Sequence, residues 1–194
     1  MWKIIINELR ISMAVLPGLA VLLCCIYPAL IWIVAQSVFP EQANGSMVKS
    51  GGRIVGSALI AQNFVNPAYF HPRPSSAGEE YNAANSGGSN LGPTSRKLIE
   101  TVAARINDYR SENNLDANTP VPADAVTASA CGLDPHISLQ NALLQARRVA
   151  ASRGITEDDL RKMIAAHTEG RDLGILGEKR VNVLLLNLDL DKRK

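Results

Sequence analysis

Between positions 11 and 40 the chain carries no charged residue, and the run 11–34 (ISMAVLPGLAVLLCCIYPALIWIV) is apolar on every face. At about 1.5 Å per helical residue, that run crosses a hydrocarbon core of about 30 Å, so it predicts a single membrane helix over 12–36. A core helix of a soluble domain would show a polar stripe at helical spacing, and this run has none. Ala35-Gln36-Ser37 offers a small-x-small cleavage site, but the run is longer than the roughly 7 to 15 residues of a signal-peptide apolar region. Pro17 and Pro28 fall inside the span, where neighbouring helices can satisfy the carbonyls that prolines free. Trp2, Trp32 and Phe39 lie near its ends, as interfacial aromatics do.

Beyond a loop-like stretch at 40–52, residues 53–64 (RIVGSALIAQNF) are apolar enough for either strand or helix, and short apolar runs do not separate the two. From 66 to 93 the chain is dense in Pro, Gly, Ser and Asn, the composition of a long loop. Tyr69, Phe70 and Tyr81 within it favour an ordered one, because disordered tracts are poor in aromatics. Residues 95–114 predict a helix with Leu98, Val102, Ile106 and Tyr109 along one face. A second helix is predicted over 138–153, capped by Ser138 after the apolar Ile137 and stopped by Gly154, with Leu143, Ala146 and Ala150 inward. On that helix Gln145 reads as a polar position on the exposed side. Thr156 starts a third, with Glu157, Asp158 and Asp159 at the positive end of the helix dipole and Leu160, Met163, Ile164 and His167 following. The segment 180–191 (RVNVLLLNLDLD) alternates partially and predicts a strand. Strands and helices without a clean βα repeat predict an α+β domain.

Charge orients the span. Lys3 and Arg10 precede it, whereas the first charge after it is Glu41 and the next bases are Lys49 and Arg53. The positive-inside rule then predicts a short cytoplasmic N-terminus (1–11) and one extracytoplasmic domain (37–194). Positions 1–53 hold four basic and two acidic residues, so the chain's net charge of +2 resides there and the remainder is formally neutral. That excludes the basic footprint of a nucleic-acid partner. Cys24 and Cys25 lie inside the span and Cys131 stands alone outside it, so the domain forms no internal disulfide.

No constellation of catalytic type emerges. Ser129, Asp134 and His136 have triad residue types, but they crowd within eight positions and no G-x-S-x-G elbow surrounds the serine. A turn shaped by Gly132 and Pro135, with Asp134 bonding its local backbone and Ser138 capping the next helix, accounts for the same residues. The glycine-rich 86–92 (SGGSNLG) lacks the G-K-[ST] ending and the strand-to-helix context of a phosphate loop; it reads as a rigid or docking loop. His71, His136 and His167 have no ligand spacing with one another or with Cys131, so no metal site is expected. His71-Pro72-Arg73 reads as a hydrogen-bonded loop pair that could also contact an anion. Asn44-Gly45-Ser46 fits a glycosylation sequon.

Seven blocks in order carry a resemblance covering nearly the whole chain: 42–46 (QANGS), 56–64 (GSALIAQNF), 69–75 (YFHPRPS), 86–92 (SGGSNLG), 121–138 (VPADAVTASACGLDPHIS), 147–151 (RRVAA) and 181–190 (VNVLLLNLDL). Together they resemble the C subunit family of the Kdp-type potassium-transporting P-type ATPase. Ala61 and Pro72 stand where that family more often has glycine, and Cys131 where it usually has serine. The cysteine implies that no hydroxyl chemistry is essential there. The resemblance implies an accessory, non-catalytic subunit of a high-affinity potassium uptake complex in the bacterial cytoplasmic membrane, with a channel-like pore subunit, an ATP-hydrolysing pump subunit and membrane lipid as partners. It also implies a catalytic-chaperone role that raises ATP affinity, with Gln145 contacting ATP, and K+ as the transported ion. Hydrolysis is cytoplasmic, whereas the charge pattern puts Gln145 outside, so the two expectations conflict over a direct contact. The readings from other classes are a signal-anchored extracytoplasmic hydrolase using Ser129 or His136, and a stand-alone extracytoplasmic binding module.

Overall fold

The computed structural model describes residues 1–193, in two compact units that meet at Met47 and Val48. The first unit is a long helix. It comprises α1 (Trp2–Val21), a π-helical turn (Leu22–Ile26) and α2 (Tyr27–Val38), followed by the short α3 (Pro40–Ala43). Its 37 residues include an 18-residue stretch with a mean hydropathy of 2.4, none of it buried within the chain, which makes the helix long and apolar enough to cross a membrane. The helix starts at Trp2, so Lys3, Glu8 and Arg10 are helical too. The π turn ends two residues before Pro28. Proline has no N–H for the carbonyl four residues back, that of Cys24, and the widened turn, in which the Tyr27 N–H reaches Leu22 O, absorbs the mismatch.

The second unit is α+β. β1 (Met47–Ser50) pairs with β2 (Arg53–Ser57), which settles the ambiguous 53–64 run as a short strand followed by turns. Four longer helices follow: α4 (Arg96–Glu112), α6 (Leu139–Arg153), α7 (Glu157–Ala166) and α8 (Val183–Lys192), with the single-turn α5 (Ala123–Val126) before α6. A three-stranded antiparallel sheet in the order β3-β5-β4 joins β3 (His136–Ser138), β5 (Arg180–Asn182) and β4 (Thr168–Glu169). Its register sets Ile137 opposite Val181, and Val181 opposite Thr168.

The predicted caps form as the side-chain chemistry requires. Ser138 Oγ accepts from the Asn141 N–H, Thr156 Oγ1 from the Asp159 N–H, and Gly154 ends α6 at a φ of +66°. The core gathers Ile137 and Val181 from the sheet, Ala142, Ala146, Val149 and Ala150 from α6, Leu160, Met163 and Ile164 from α7, and Val183, Leu186 and Leu190 from α8. One residue from the long loop, Phe70, is fully buried among them.

The strand expected over 180–191 is a correction. Only Arg180–Asn182 is extended, because the Asn182 side chain accepts from the Leu185 N–H and starts α8. Val183, Leu186, Asn187 and Leu190 are buried at helical spacing, and a leucine-rich run satisfies periods of 2 and 3.6 alike.

Candidate functional site

The loop 66–93 is ordered, and side chains rather than a sheet hold it. Phe70 N–H donates to Asn187 Oδ1 at 2.9 Å and Asn187 Nδ2 donates to Phe70 O at 2.9 Å. His71 N–H donates to Gln145 Oε1 at 2.7 Å and Gln145 Nε2 donates to His71 O at 3.0 Å. Upstream, Arg148 Nη1 donates to the carbonyls of Pro67 and Tyr69, and Arg153 Nε to that of Ala68. Downstream, Ser75 Oγ donates to Gly132 O and accepts from the N–H groups of Ala77 and Tyr81, while the Tyr81 hydroxyl donates to Arg73 O. Burial, opposed by nearby Arg105, pushes the Tyr81 hydroxyl up to about 12.

The expectation that Gln145 lies on the exposed side of its helix is therefore wrong: the residue is 1 % exposed. Its Nε2 also donates to Asn141 Oδ1, and its Oε1 accepts from Arg148 Nη2. A carboxamide has two donors and two acceptor sites, and all four are used. The network extends through Asn141, whose Oδ1 accepts from the Tyr109 hydroxyl and whose Nδ2 donates to Asp124. Asp124 in turn accepts from the N–H and hydroxyl of Ser138 at the N-terminus of α6, where the helix dipole favours a carboxylate. Burial pushes the Tyr109 hydroxyl well above its ordinary range. Arg148 is 6 % exposed and also donates to Asn113 Oδ1. Burial lowers its pKa, against the attraction of Glu112.

Beside this network lies a cavity of about 190 Å³ lined in part by His71, Arg105, Tyr109, Glu112 and Gln145. It is smaller than the roughly 300 to 1,000 Å³ of typical ligand pockets. His71 closes one side, its Nδ1 at 2.7 Å from Glu112 Oε1 and its Nε2 at 3.1 Å from Asn66 O. That hydrogen bond holds the Glu112 carboxyl below its usual range. Arg73, the other polar residue of the pair read from the sequence, bonds Asp134 at 2.8 Å, and its Nε is buried without an acceptor among the described residues.

The triad residue types do not converge. Asp134 Oδ1 accepts from the His136 N–H, as a turn-forming aspartate should. The His136 ring lies 3.6 Å from both Asp134 and Glu169, while the Ser129 hydroxyl contacts Cys131 Sγ at 3.5 Å. Although burial opposes it, hydrogen bonds from His136 and Arg73 bring the Asp134 carboxyl down to about 2. The glycine-rich 86–92 segment docks on the 129–133 turn through Gly87 N–H and Ser86 Oγ, both donating to Cys131 O. A Cβ on Gly132, at φ +69°, would meet Ala77 N and Gly87 O at 2.7 Å. Among the described residues no group of three His, Cys, Asp or Glu side chains could hold a metal ion.

Sequence reasoning passed over Asn141, Arg148 and Asn187. The signal was present: Asn141, Gln145 and Arg148 recur at steps of four and three beside the apolar stripe of Ala142, Ala146 and Val149, which marks a polar row facing inward rather than a solvated face.

Residues 9–192 match the family described as "KdpC: K+-transporting ATPase, c chain". The chain belongs to the KdpC family. Its similarity to relatives named "Potassium-transporting ATPase KdpC subunit" is close. The Mycobacterium tuberculosis relative is 52% identical over 183 residues, covering 91% of this chain and 97% of the other. The Myxococcus xanthus relative is 56% identical over 169 residues, covering 87% and 80%. The KdpC match runs through most of the apolar helix, the Asn141–Gln145–Arg148 row and α8, so it embraces both units.

Proposed function

We propose that the chain is an accessory subunit of a K+-transporting ATPase, with no catalytic role by itself, built from a membrane-anchoring helix and a domain that serves assembly. The observation that carries this reading is the KdpC match over 9–192, which spans anchor and domain together. The signal-anchored hydrolase and the stand-alone binding module have no comparable support, and the scattered placement of Ser129 and His136 speaks against the first.

In this reading the helix Trp2–Val38 spans the bacterial cytoplasmic membrane with 1–11 inside and 37–194 outside, as the flanking Lys3 and Arg10 favour. The helix packs on a potassium-conducting partner, and the domain covers that partner's outer entrance. ATP is hydrolysed by another partner on the opposite side. Gln145 acts as an internal staple for the 69–75 segment, and any effect of this chain on ATP affinity passes through the assembled complex. The saturated bonding and burial of Gln145 favour that role over nucleotide contact.

Copurification tests the proposal. A tagged chain extracted from native membranes in mild detergent should bring with it much larger membrane proteins and K+-stimulated ATPase activity. Recovery of a lone, stable monomer would sink the reading. Deleting 47–194 should weaken potassium affinity or assembly, and no effect on either would remove the covering role.

A further inference from the structure

Between β4 and β5 the chain makes a short excursion. Its tip, 172–176, is closed by two reciprocal backbone bonds, Asp172 N–H to Leu176 O at 2.8 Å and Leu176 N–H to Asp172 O at 2.9 Å. On this tip Leu173 is 90 % exposed, Ile175 75 % and Leu176 55 %. Three large aliphatic side chains side by side in water are unfavourable, and such patches mark interaction sites. Leu173 also has a φ of +53°, a conformation that costs a leucine energy and that glycine or asparagine would adopt more readily.

Ion pairs run along the stem of this tip. Arg171 Nη2 lies 2.9 Å from Glu178, Arg180 Nε 2.9 Å from Glu169, and Arg180 Nη2 3.3 Å from Asp172. These pairs also decide between possible occupants. An element made to enter an anionic bilayer surface carries unpaired Lys or Arg and interfacial aromatics. Here the flanking charges balance, three acidic and three basic over 169–180, and the segment has no aromatic residue. Only Lys179 of the six makes no ion pair among the described residues. A convex, aliphatic, charge-neutral tip fits an apolar recess on a protein. Tip-to-tip pairing of two copies would supply no recess.

We infer that residues 172–176 form an insertion element that seats Leu173, Ile175 and Leu176 in an apolar recess on the extramembrane surface of another subunit of the same ATPase. The inference rests on the accessory-subunit reading. The ion-paired stem presents the side chains already ordered, which limits the entropy lost on docking.

The test uses the tagged full chain coexpressed with the other subunits, and reads the partner protein retained after detergent extraction. The wild-type chain should retain its partners; if it retains none, the accessory-subunit reading fails and this inference falls with it. Given wild-type retention, Leu173→Asp combined with Ile175→Asp should weaken association at least about tenfold, as expected of a buried anchor. L173G should unfold at the same temperature or higher, because it relieves the positive φ, and should still lose retention. Unchanged retention in both variants overturns the inference. A photocrosslinking residue at 175 should form an adduct with a partner subunit; an adduct with lipid, an adduct with a second copy, or no adduct overturns it.

Discussion

Gln145 holds His71 by both of that residue's backbone groups, accepting from its N–H at 2.7 Å and donating to its carbonyl at 3.0 Å. Asn187 does the same to the preceding residue, Phe70. Two side-chain amides, one on α6 and one on α8, thus stand in for the neighbouring strands that would ordinarily satisfy an extended segment. The loop is thereby part of the core, with Phe70 as its buried plug.

Truncation of Gln145 is expected to be a stability lesion. Gln145→Ala leaves the His71 backbone groups and an arginine N–H buried and unpaired, at a cost of about 3 kcal/mol. For a domain of this size that lowers the melting temperature by roughly 6 to 12 °C, measurable by thermal unfolding of the detergent-purified chain. A variant that melts normally but raises the KM for ATP of the assembled complex would reverse the assignment and make Gln145 a nucleotide contact.

Asp134 couples the domain to acid. Its folded pKa of about 2 lies below that of a free aspartate near 3.9, so its contribution is complete above about pH 4 and is lost as the pH falls through 2. Partial exposure to solvent discounts the pairing with Arg73 to about 1 kcal/mol. Urea denaturation of D134N should show a loss of that order at pH 7 and a flatter decline between pH 4 and 2. An acid limb parallel to wild type would refute the assignment.

Gly132 should tolerate no side chain. G132A combines a left-handed φ with backbone atoms 2.7 Å from the new Cβ, and a loss of about 3 kcal/mol is expected. Gly170, with open space around it and no positive φ, is the matched control: G170A should melt within a degree or two of wild type. Equal effects at the two sites would mean that the 86–92 loop does not dock on the 129–133 turn.

Native thiols report the topology. Cys131 is exposed in the domain, and Cys24 and Cys25 lie in the apolar helix. With those two replaced by alanine, a membrane-impermeant maleimide should label Cys131 in intact spheroplasts. Labelling only after permeabilisation would place the domain in the cytoplasm.

The sequence announced its helices through side chains that act locally. Ser138, Gly154 and Thr156 do what cap chemistry predicts because a cap needs only three or four neighbouring residues. The apolar run 11–34 was equally legible, its limits aside, since length and composition decide it. What escaped was long-range. Gln145 looked solvated because its partners, the His71 backbone and Asn141, include one 74 residues away. The α8 segment reads as strand in the sequence because the choice between two periods is made by the Asn182 cap and by Phe70, which gives Asn187 its buried partner.

The Phe70–Asn187 pairing joins positions 117 residues apart, which sets the order of events during synthesis. Domains normally fold as units while they emerge, and contacts of such separation carry the largest loop-closure entropy. Here the plug at Phe70 has no amide to grip it until α8, which carries Asn187, has been made. The domain therefore closes on Phe70 only once α8 is available, and a chain cut before Asn187 would expose Phe70 and the apolar faces of α6 and α7.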